Sequence, residues 1–392
     1  MDKLLNISAL TEKFASGGTL RDDGGYGVVA SYGDIRAEYN TIRTGIGIVN
    51  LSGSGLFKIS GEGAVDFVSE LVTRDIEFLD TEHVVFTLML DDKGDILDLV
   101  SLYRLEDSFL IETSAMKRDT ITAWLRERCG GADNVELEDL GSTHSLIGFE
   151  GPHAWKLAQT LITFEISSLP YQSFVETDIQ GVQMLFIRSG FTGEYGYKVV
   201  APHEMACSLW EQLMEFSGDE DDEQSEDERY VVAPVGAEAL EIAMLEVRQP
   251  NAKVDGSISV YEACVEWFVS FPKEHYIGRD ALMGPLQQSV NQRLVGFTAK
   301  AENEAEVEAS AEVVLSLEVG NSVIIEDIKI GSIVQVVYSP ILDKYLGLAL
   351  VDQTFAVSGI QIEALDRTGE RIRLTTQSSP YVIPKSWSIK MI

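Results

Sequence analysis

Apolar positions along the chain switch between a period near two and a period near 3.6. From Leu56 the sequence runs Leu-Phe-Lys-Ile-Ser-Gly-Glu-Gly-Ala-Val-Asp-Phe-Val. That order predicts a short strand, a glycine break, and a helix whose Ala64, Phe67, Val68 and Leu71 share one buried face. The order returns at Leu146-Ile-Gly-Phe-Glu-Gly-Pro-His-Ala-Trp-Lys-Leu-Ala, with Gly151 and Ala154 in the places of Gly61 and Ala64. Strands are expected around 86–90, 96–104 and 108–113 after the first unit, then a helix near Arg118–Arg128. Strands around 183–189 and 195–200 follow the second, then a helix near Glu204–Phe216. Two α+β halves in similar order point to duplication. From about Gln292 the pattern becomes short alternating strands, Leu294–Phe297, Ser322–Glu326, Gly331–Tyr338, Leu346–Val351 and Gln361–Leu365. These predict a separate all-β domain.

Length and charge narrow the picture. A chain of 392 residues with 45% hydrophobic content fits two or three soluble globular domains. No apolar run approaches the roughly 18 residues of a membrane span, and Met1–Leu20 lacks the order of a signal peptide. Cys129, Cys207 and Cys264 are far apart and odd in number, so a reducing cytoplasm is the expected home. Five scattered histidines, none paired at i, i+4, argue against a metal site. A formal charge of −33 argues against nucleic-acid and anionic-membrane partners. Asp219–Glu228 and Glu302–Glu312 concentrate acids and read as solvated loops.

Four segments carry candidate chemistry. Arg188–Lys198 reads R-S-G-F-T-G-E-Y-G-Y-K, with glycines at 190, 193 and 196 between two apolar runs. It predicts two strands joined by a turn that needs positive φ or close approach; a plain glycine-rich hairpin satisfies the same pattern. Asp98 lies among apolar strand residues and alternates with Ile96 and Val100. A buried carboxylate there is a functional candidate, because burying charge costs free energy; a sheet-edge residue facing water is the other reading. Pro234–Pro250 reads as a helix with Ala237, Leu240, Ala243 and Met244 facing inward. Lys273–Leu282 reads as a glycine turn into a helix.

Together these segments resemble the aminomethyltransferases, the family of the glycine cleavage T-protein and its folate-dependent demethylase relatives. The family reads approximately R-T-G-Y-T-G-E-x-G-F-E against Arg188–Lys198 and L-N-x-x-G-G-x-x-D-D-L-x-x-Y against Leu90–Tyr103. P-x-G-L-x-A-R-D-x-L-R-L-E-A-G-x-P fits Pro234–Pro250 without a gap, and F-I-G-R-E-A-L fits Tyr276–Leu282. Tyr32-Gly-Asp-Ile, Arg43-Thr-Gly-Ile-Gly, Leu71-Val-Thr-Arg-Asp, Gly331 and Ser339-Pro also fall in family order. The resemblance implies an α+β fold. Residues 1–290 would form a folate-binding body of two related, interleaved units, about 1–143 and 144–290, and 291–392 a C-terminal β-barrel-like domain. It further implies transfer of a one-carbon unit to N5 of tetrahydrofolate in a central hole, taken from a small-molecule donor. Asp98 would be the acid assisting the attacking amine, since a preplaced carboxylate stabilises developing positive charge. The implied cofactor wall comprises Phe86, Tyr103, Thr113, Phe191, Glu194, Lys198, Leu240 and Met244.

The chain departs from the family at that wall. Lys198 stands where the family has the glutamate that grips the pterin, and Phe191 stands where it has tyrosine. Leu240 and Met244 replace two arginines, Thr113 replaces an asparagine, and Asn50-Leu-Ser-Gly-Ser-Gly55 replaces D-V-S-H-M-G. A lysine only donates hydrogen bonds, whereas a carboxylate accepts them. The iron–sulfur-assembly branch is set aside, since His275 and Arg279 stand where it has its K-G-C-Y-x-G-Q-E cysteine motif. Three readings follow: a folate-dependent one-carbon transferase with Glu194 or Glu241 taking over ring recognition; an enzyme on this scaffold with another substrate or pterin; and a non-catalytic binding or regulatory homologue. The net charge would repel an acidic lipoyl-carrier protein, which disfavours that partner. A single Lys198→Glu change is expected to raise folate affinity modestly by restoring an acceptor.

Overall fold

Leu56–Ser60 forms a strand, Gly61 turns the chain, and Ala64–Leu71 forms a helix; His144–Glu150, Gly151 and Ala154–Gln159 repeat the sequence of events. Both glycines have positive φ, +105° and +151°. A Cβ at Gly61 would stand 2.2 Å from the Asn134 carbonyl oxygen, and one at Gly151 would stand 2.1 Å from that of Gly45. The repeat is therefore written into the backbone, because a side chain at either turn would collide with main chain. These coordinates are a computed structural model that describes residues 5–216, 230–284, 290–300 and 316–391. The acidic stretches Asp219–Glu228 and Glu302–Glu312 lie outside the described residues.

Among the described residues, eleven strands make one mixed sheet. Its order is 232–235, 46–50, 144–150, 196–202, 182–188, 173–179, 83–90, 96–104, 108–112, 56–60 and 136–139. The sheet narrows where Ser173 pairs His83, flanked by the Val84 amide to the Gln172 carbonyl and the Phe174 amide to the Glu82 carbonyl, both 2.8 Å. Each side of that seam carries its own helices. Ala64–Leu71 and Arg118–Cys129 bury Phe67, Val68, Leu71, Ile121 and Leu125 against Ile59, Val100, Leu102 and Phe109. Ala154–Gln159 and His203–Met214 bury Leu157, Leu209, Trp210 and Leu213 against Ile147, Phe149, Phe186 and Val199. Each such side chain contributes roughly 1.5–3 kcal/mol on leaving water.

Among the described residues, six strands, 292–299, 344–352, 328–339, 322–325, 361–365 and 371–377, close into a barrel. Strand 371–377 alternates in burial, with Ile372, Leu374 and Thr376 inward, and closure leaves no free edge to pair with another chain. This mixed architecture with a closed C-terminal barrel agrees with the α+β expectation. Helix Ala237–Val247 rests on barrel strands 328–339 and 344–352 and on helix Ile35–Thr44. Leu88, Leu90, Leu245, Phe268, Leu294, Leu346 and Tyr381 form one core shared by sheet, helix and barrel. Helix 237–247 starts three residues later than the pattern predicts, because Val232–Val235 is drawn into the sheet parallel to Ile46–Val49. Among the described residues, no helix is long and apolar enough to cross a membrane.

Candidate functional site

The glycine segment folds as the connection between strands Val182–Arg188 and Gly196–Pro202. A buried carboxylate fixes it. Glu150 accepts the Phe191 amide at 2.9 and 3.0 Å, the Thr192 amide at 2.9 Å and the Thr192 hydroxyl at 2.6 Å. Burial raises the Glu150 pKa, and the bonds from Thr192 and Phe191 oppose that rise. Gly193 sits at φ +77°, where a Cβ would lie 2.7 Å from Pro384 Cγ and 3.0 Å from Val247 Cγ1. The turn is held from both sides, and Phe191 becomes a rigid wall of the neighbouring cavity.

That cavity measures about 160 Å³ and opens between the sheet and helix 237–247. Phe86, Leu99, Phe191, Met244 and Phe268 give it an apolar lining; Glu112, Thr113 and Ser114 supply polar atoms. A second space of about 180 Å³ adjoins it and shares Leu51, Ser54, Ser114, Met244, Asn251 and Ala252. Its further walls carry Arg21, Asp23, Glu241 and Lys253. The two make one cleft, aromatic inside and charged outside. Ala237, Leu240 and Met244 line the outer part, whereas Ala243 of the same expected inward stripe packs in the core, which Leu240 also joins. The buried residues of the same helix are Ala239, Leu240, Ala243, Leu245 and Glu246.

Behind the inner wall stands a buried ion pair. Lys198, 1% exposed, donates to Glu112 Oε1 at 2.8 Å and Oε2 at 2.9 Å. The Tyr103 hydroxyl donates to Glu112 Oε2, and burial beside that carboxylate pushes the tyrosine pKa well up. The Lys198 ammonium lies 4.1 Å from the Phe191 ring centre, a cation–π contact. Of the expected wall residues, Phe86, Thr113, Phe191 and Met244 meet at the inner cavity; Tyr103 and Lys198 reach it through Glu112. Glu194 does not join them. Its Oε1 pairs Arg43 at 3.1 Å and its Oε2 accepts the Ser386 amide at 2.9 Å and hydroxyl at 2.7 Å, so its acceptors are spent on the chain itself. Glu241 pairs Arg21 at 2.6 Å in the outer cleft.

Asp98 is buried, with 0% exposure. Strand pairing sets its direction. Asp98 faces Met89, whereas Leu99 faces Leu88 and Ser101 faces Phe86 on the cavity side. A bulge between Met89 and Leu90 breaks the alternation, so Ile96 joins Leu88 and Leu90 while Asp98 stays on the side of Met89 and Val100. The carboxylate accepts the Leu99 amide at 2.9 Å, the Ser114 amide at 2.8 Å and the Ser114 hydroxyl at 2.9 Å. Burial outweighs these bonds and lifts its pKa to about 6. Its link to the cleft is Ser114, which lines both spaces.

The GCVT N-terminal domain matches residues 11–273, and the glycine cleavage T-protein C-terminal barrel domain matches residues 292–382. The chain belongs to the glycine cleavage T-protein family. An aminomethyltransferase of Alkaliphilus oremlandii is 28% identical over 351 residues, 88% of this chain and 89% of the relative. One from Chlorobium luteolum is 30% identical over 272 residues, 68% of this chain and 72% of that relative. The crystal structure of the glycine cleavage system aminomethyltransferase T from Bartonella henselae superposes with a TM-score of 0.82 at 22% identity, covering 97% of this chain and 99% of that one.

Within this T-protein fold, two of the segments that carry the family resemblance, Arg188–Lys198 and Pro234–Pro250, meet Arg43 and Ser339 at a buried network away from the cleft wall. Arg43 pairs Glu246 at 2.7 Å and Glu194 at 3.1 Å, and donates to the Thr192 and Ala243 carbonyls. Glu246 also accepts the hydroxyls of Tyr39 at 2.8 Å and Ser339 at 2.5 Å. Lys273 caps the end of helix 64–71, its ammonium meeting the carbonyls of Ser69, Val72 and Arg74. Pattern reading missed Glu112, Ser114, Glu150 and Glu246. Glu112 left a trace, an acid ending the otherwise apolar strand 108–112 beside the expected Thr113.

Proposed function

We propose that the chain is a one-carbon transferase that moves a methyl or methylene unit from a small-molecule donor to a reduced folate held in the two-part cleft. The observation that carries this reading is the polarity of that cleft. Phe86, Phe191 and Phe268 flank its inner end, whereas Arg21, Asp23, Glu241 and Lys253 ring its outer end. A flat heteroaromatic head with a charged tail matches both ends. A reduced folate supplies the nucleophilic N5 amine, which gains positive charge as it accepts the carbon unit. Asp98 serves as a positioning residue that orients the Ser114 hydroxyl and places negative charge behind the wall. In a site screened from water, that fixed charge acts more strongly than it would in solution.

Calorimetric titration with tetrahydrofolate and 5-methyltetrahydrofolate tests this function. Weak to moderate binding is expected, because Leu240 and Met244 offer no ion pair; no detectable binding at millimolar ligand would overturn it. A related enzyme with another substrate or pterin is the second reading, favoured by the lysine at 198 and the apolar pair at 240 and 244.

A further inference from the structure

We propose that Glu112 reads the ring edge of the ligand, accepting one hydrogen bond from the amino group of a neutral, flat head of the aminopyrimidinone class. This rests on the reduced-folate reading and specifies how the ring is recognised.

A carboxylate offers about four lone-pair sites. Lys198 takes one on Oε1 and one on Oε2, and the Tyr103 hydroxyl takes another on Oε2. One acceptor site remains, on Oε1 of a side chain that lines the cavity. Glu112 is only 6% exposed, so leaving that site unmatched costs more than it would at the surface. Lys198 neutralises the carboxylate, so a cationic ligand gains no net charge attraction there. Among the described residues the inner lining carries no lysine or arginine, so an anionic head is not matched either. What remains is a neutral N–H donor. Phe86, Phe191 and Phe268 add flat apolar surface, which favours an aromatic carrier of that donor. The same pair could be a purely internal ion pair, and the two roles separate by experiment. Replacing a buried ion pair with apolar side chains of similar size is often neutral or stabilising for the fold, yet it removes any acceptor presented to a ligand.

The test uses the whole chain and three probes in calorimetry: pterin, lumazine (its 2-oxo counterpart) and tetrahydrofolate. Wild type is expected to prefer pterin to lumazine, because lumazine turns an oxygen towards the carboxylate. Tyr103→Phe/Glu112→Leu/Lys198→Met is expected to melt near the wild-type temperature, bind pterin about tenfold more weakly and lose the preference. Glu112→Gln, whose amide can also donate, should collapse the preference even if the triple variant is unstable. If either folded variant keeps the wild-type pterin affinity and preference, the pair is internal and the inference fails while the folate reading stands. If wild type selects pterin but ignores tetrahydrofolate, the inference stands and folate transfer falls. Binding of none of the three probes overturns both.

Discussion

The carboxylate of Asp98 is the clearest titration in the chain, because burial and three hydrogen bonds pull it in opposite directions and burial wins. A folded-state pKa of about 6 lies above the ordinary value of 3.8, so the folded protein holds this proton more tightly than the unfolded chain. The stability it contributes is fully present below the unfolded pKa and is lost as pH rises through 6. Melting temperatures of wild type and Asp98→Asn, measured in parallel from pH 4.5 to 7.5, should therefore show wild type losing ground to the variant as pH rises. A gap that moves the other way would mean that the hydrogen bonds dominate. The fold should survive Asn, which keeps an acceptor for the Leu99 amide and Ser114 hydroxyl but sets an amide against the Ser114 N–H. Lys198 teaches a related lesson. A lone Lys198→Glu was expected to help folate, but Glu112 already occupies the opposing position at 2.8 Å. Two carboxylates would then face each other in a buried site, at a cost of roughly 3–5 kcal/mol. Urea denaturation should show that loss, and Glu112→Lys added to it should recover most of the stability by restoring an oppositely charged pair.

At the scale of elements, the glycine hairpin, helix 35–44, helix 237–247 and barrel strand 328–339 are tied through Arg43, Glu194, Glu246 and Ser339. Replacing Arg43 with Met leaves two buried carboxylates without their cation. The expected loss is about 3–5 kcal/mol, read as a lower urea midpoint. Ligand-free stability should fall far more than the cavity's ligand preference, since neither Arg43 nor Glu246 lines the cleft. This network also explains what was legible in the sequence. Helices 64–71 and 118–129 announced themselves by the 3.6-residue period, and the paired turns at Gly61 and Gly151 by local order. Strand 46–50 gave no comparable signal, because its partners, 147–150 and 232–235, are remote in sequence. The site was less legible for the same reason. Phe86, Phe191 and Met244 line one cavity, but the direction of Asp98 depends on a bulge opposite Met89. The role of Glu194 likewise depends on Ser386, 192 residues away. Period and motif cannot report such long-range pairings.

Across the whole molecule, 63 acidic side chains face 30 basic ones. Buried pairs, Arg43 with Glu246 and Glu194 and Lys198 with Glu112 among them, withdraw acids along with bases, and the large excess of acids stays on the surface. Exposed like charges repel over roughly 8–10 Å at ordinary ionic strength, and compaction brings them closer than the unfolded chain does. Buried pairs are screened far less. Added chloride salt should therefore relieve surface repulsion without weakening the Arg43 network. The melting temperature is expected to climb steadily between about 20 mM and 500 mM sodium chloride, a range in which the Debye length shrinks several-fold. Arg43→Met should show the same upward slope from a lower starting point, since it alters the buried network and leaves nearly all of the surface charge in place. A melting temperature that falls with salt would assign the dominant electrostatics to exposed ion pairs such as Arg371–Glu363 and Lys13–Glu211. Surface pairs of that kind are each worth only about 0–1 kcal/mol, and the excess of acids outnumbers them.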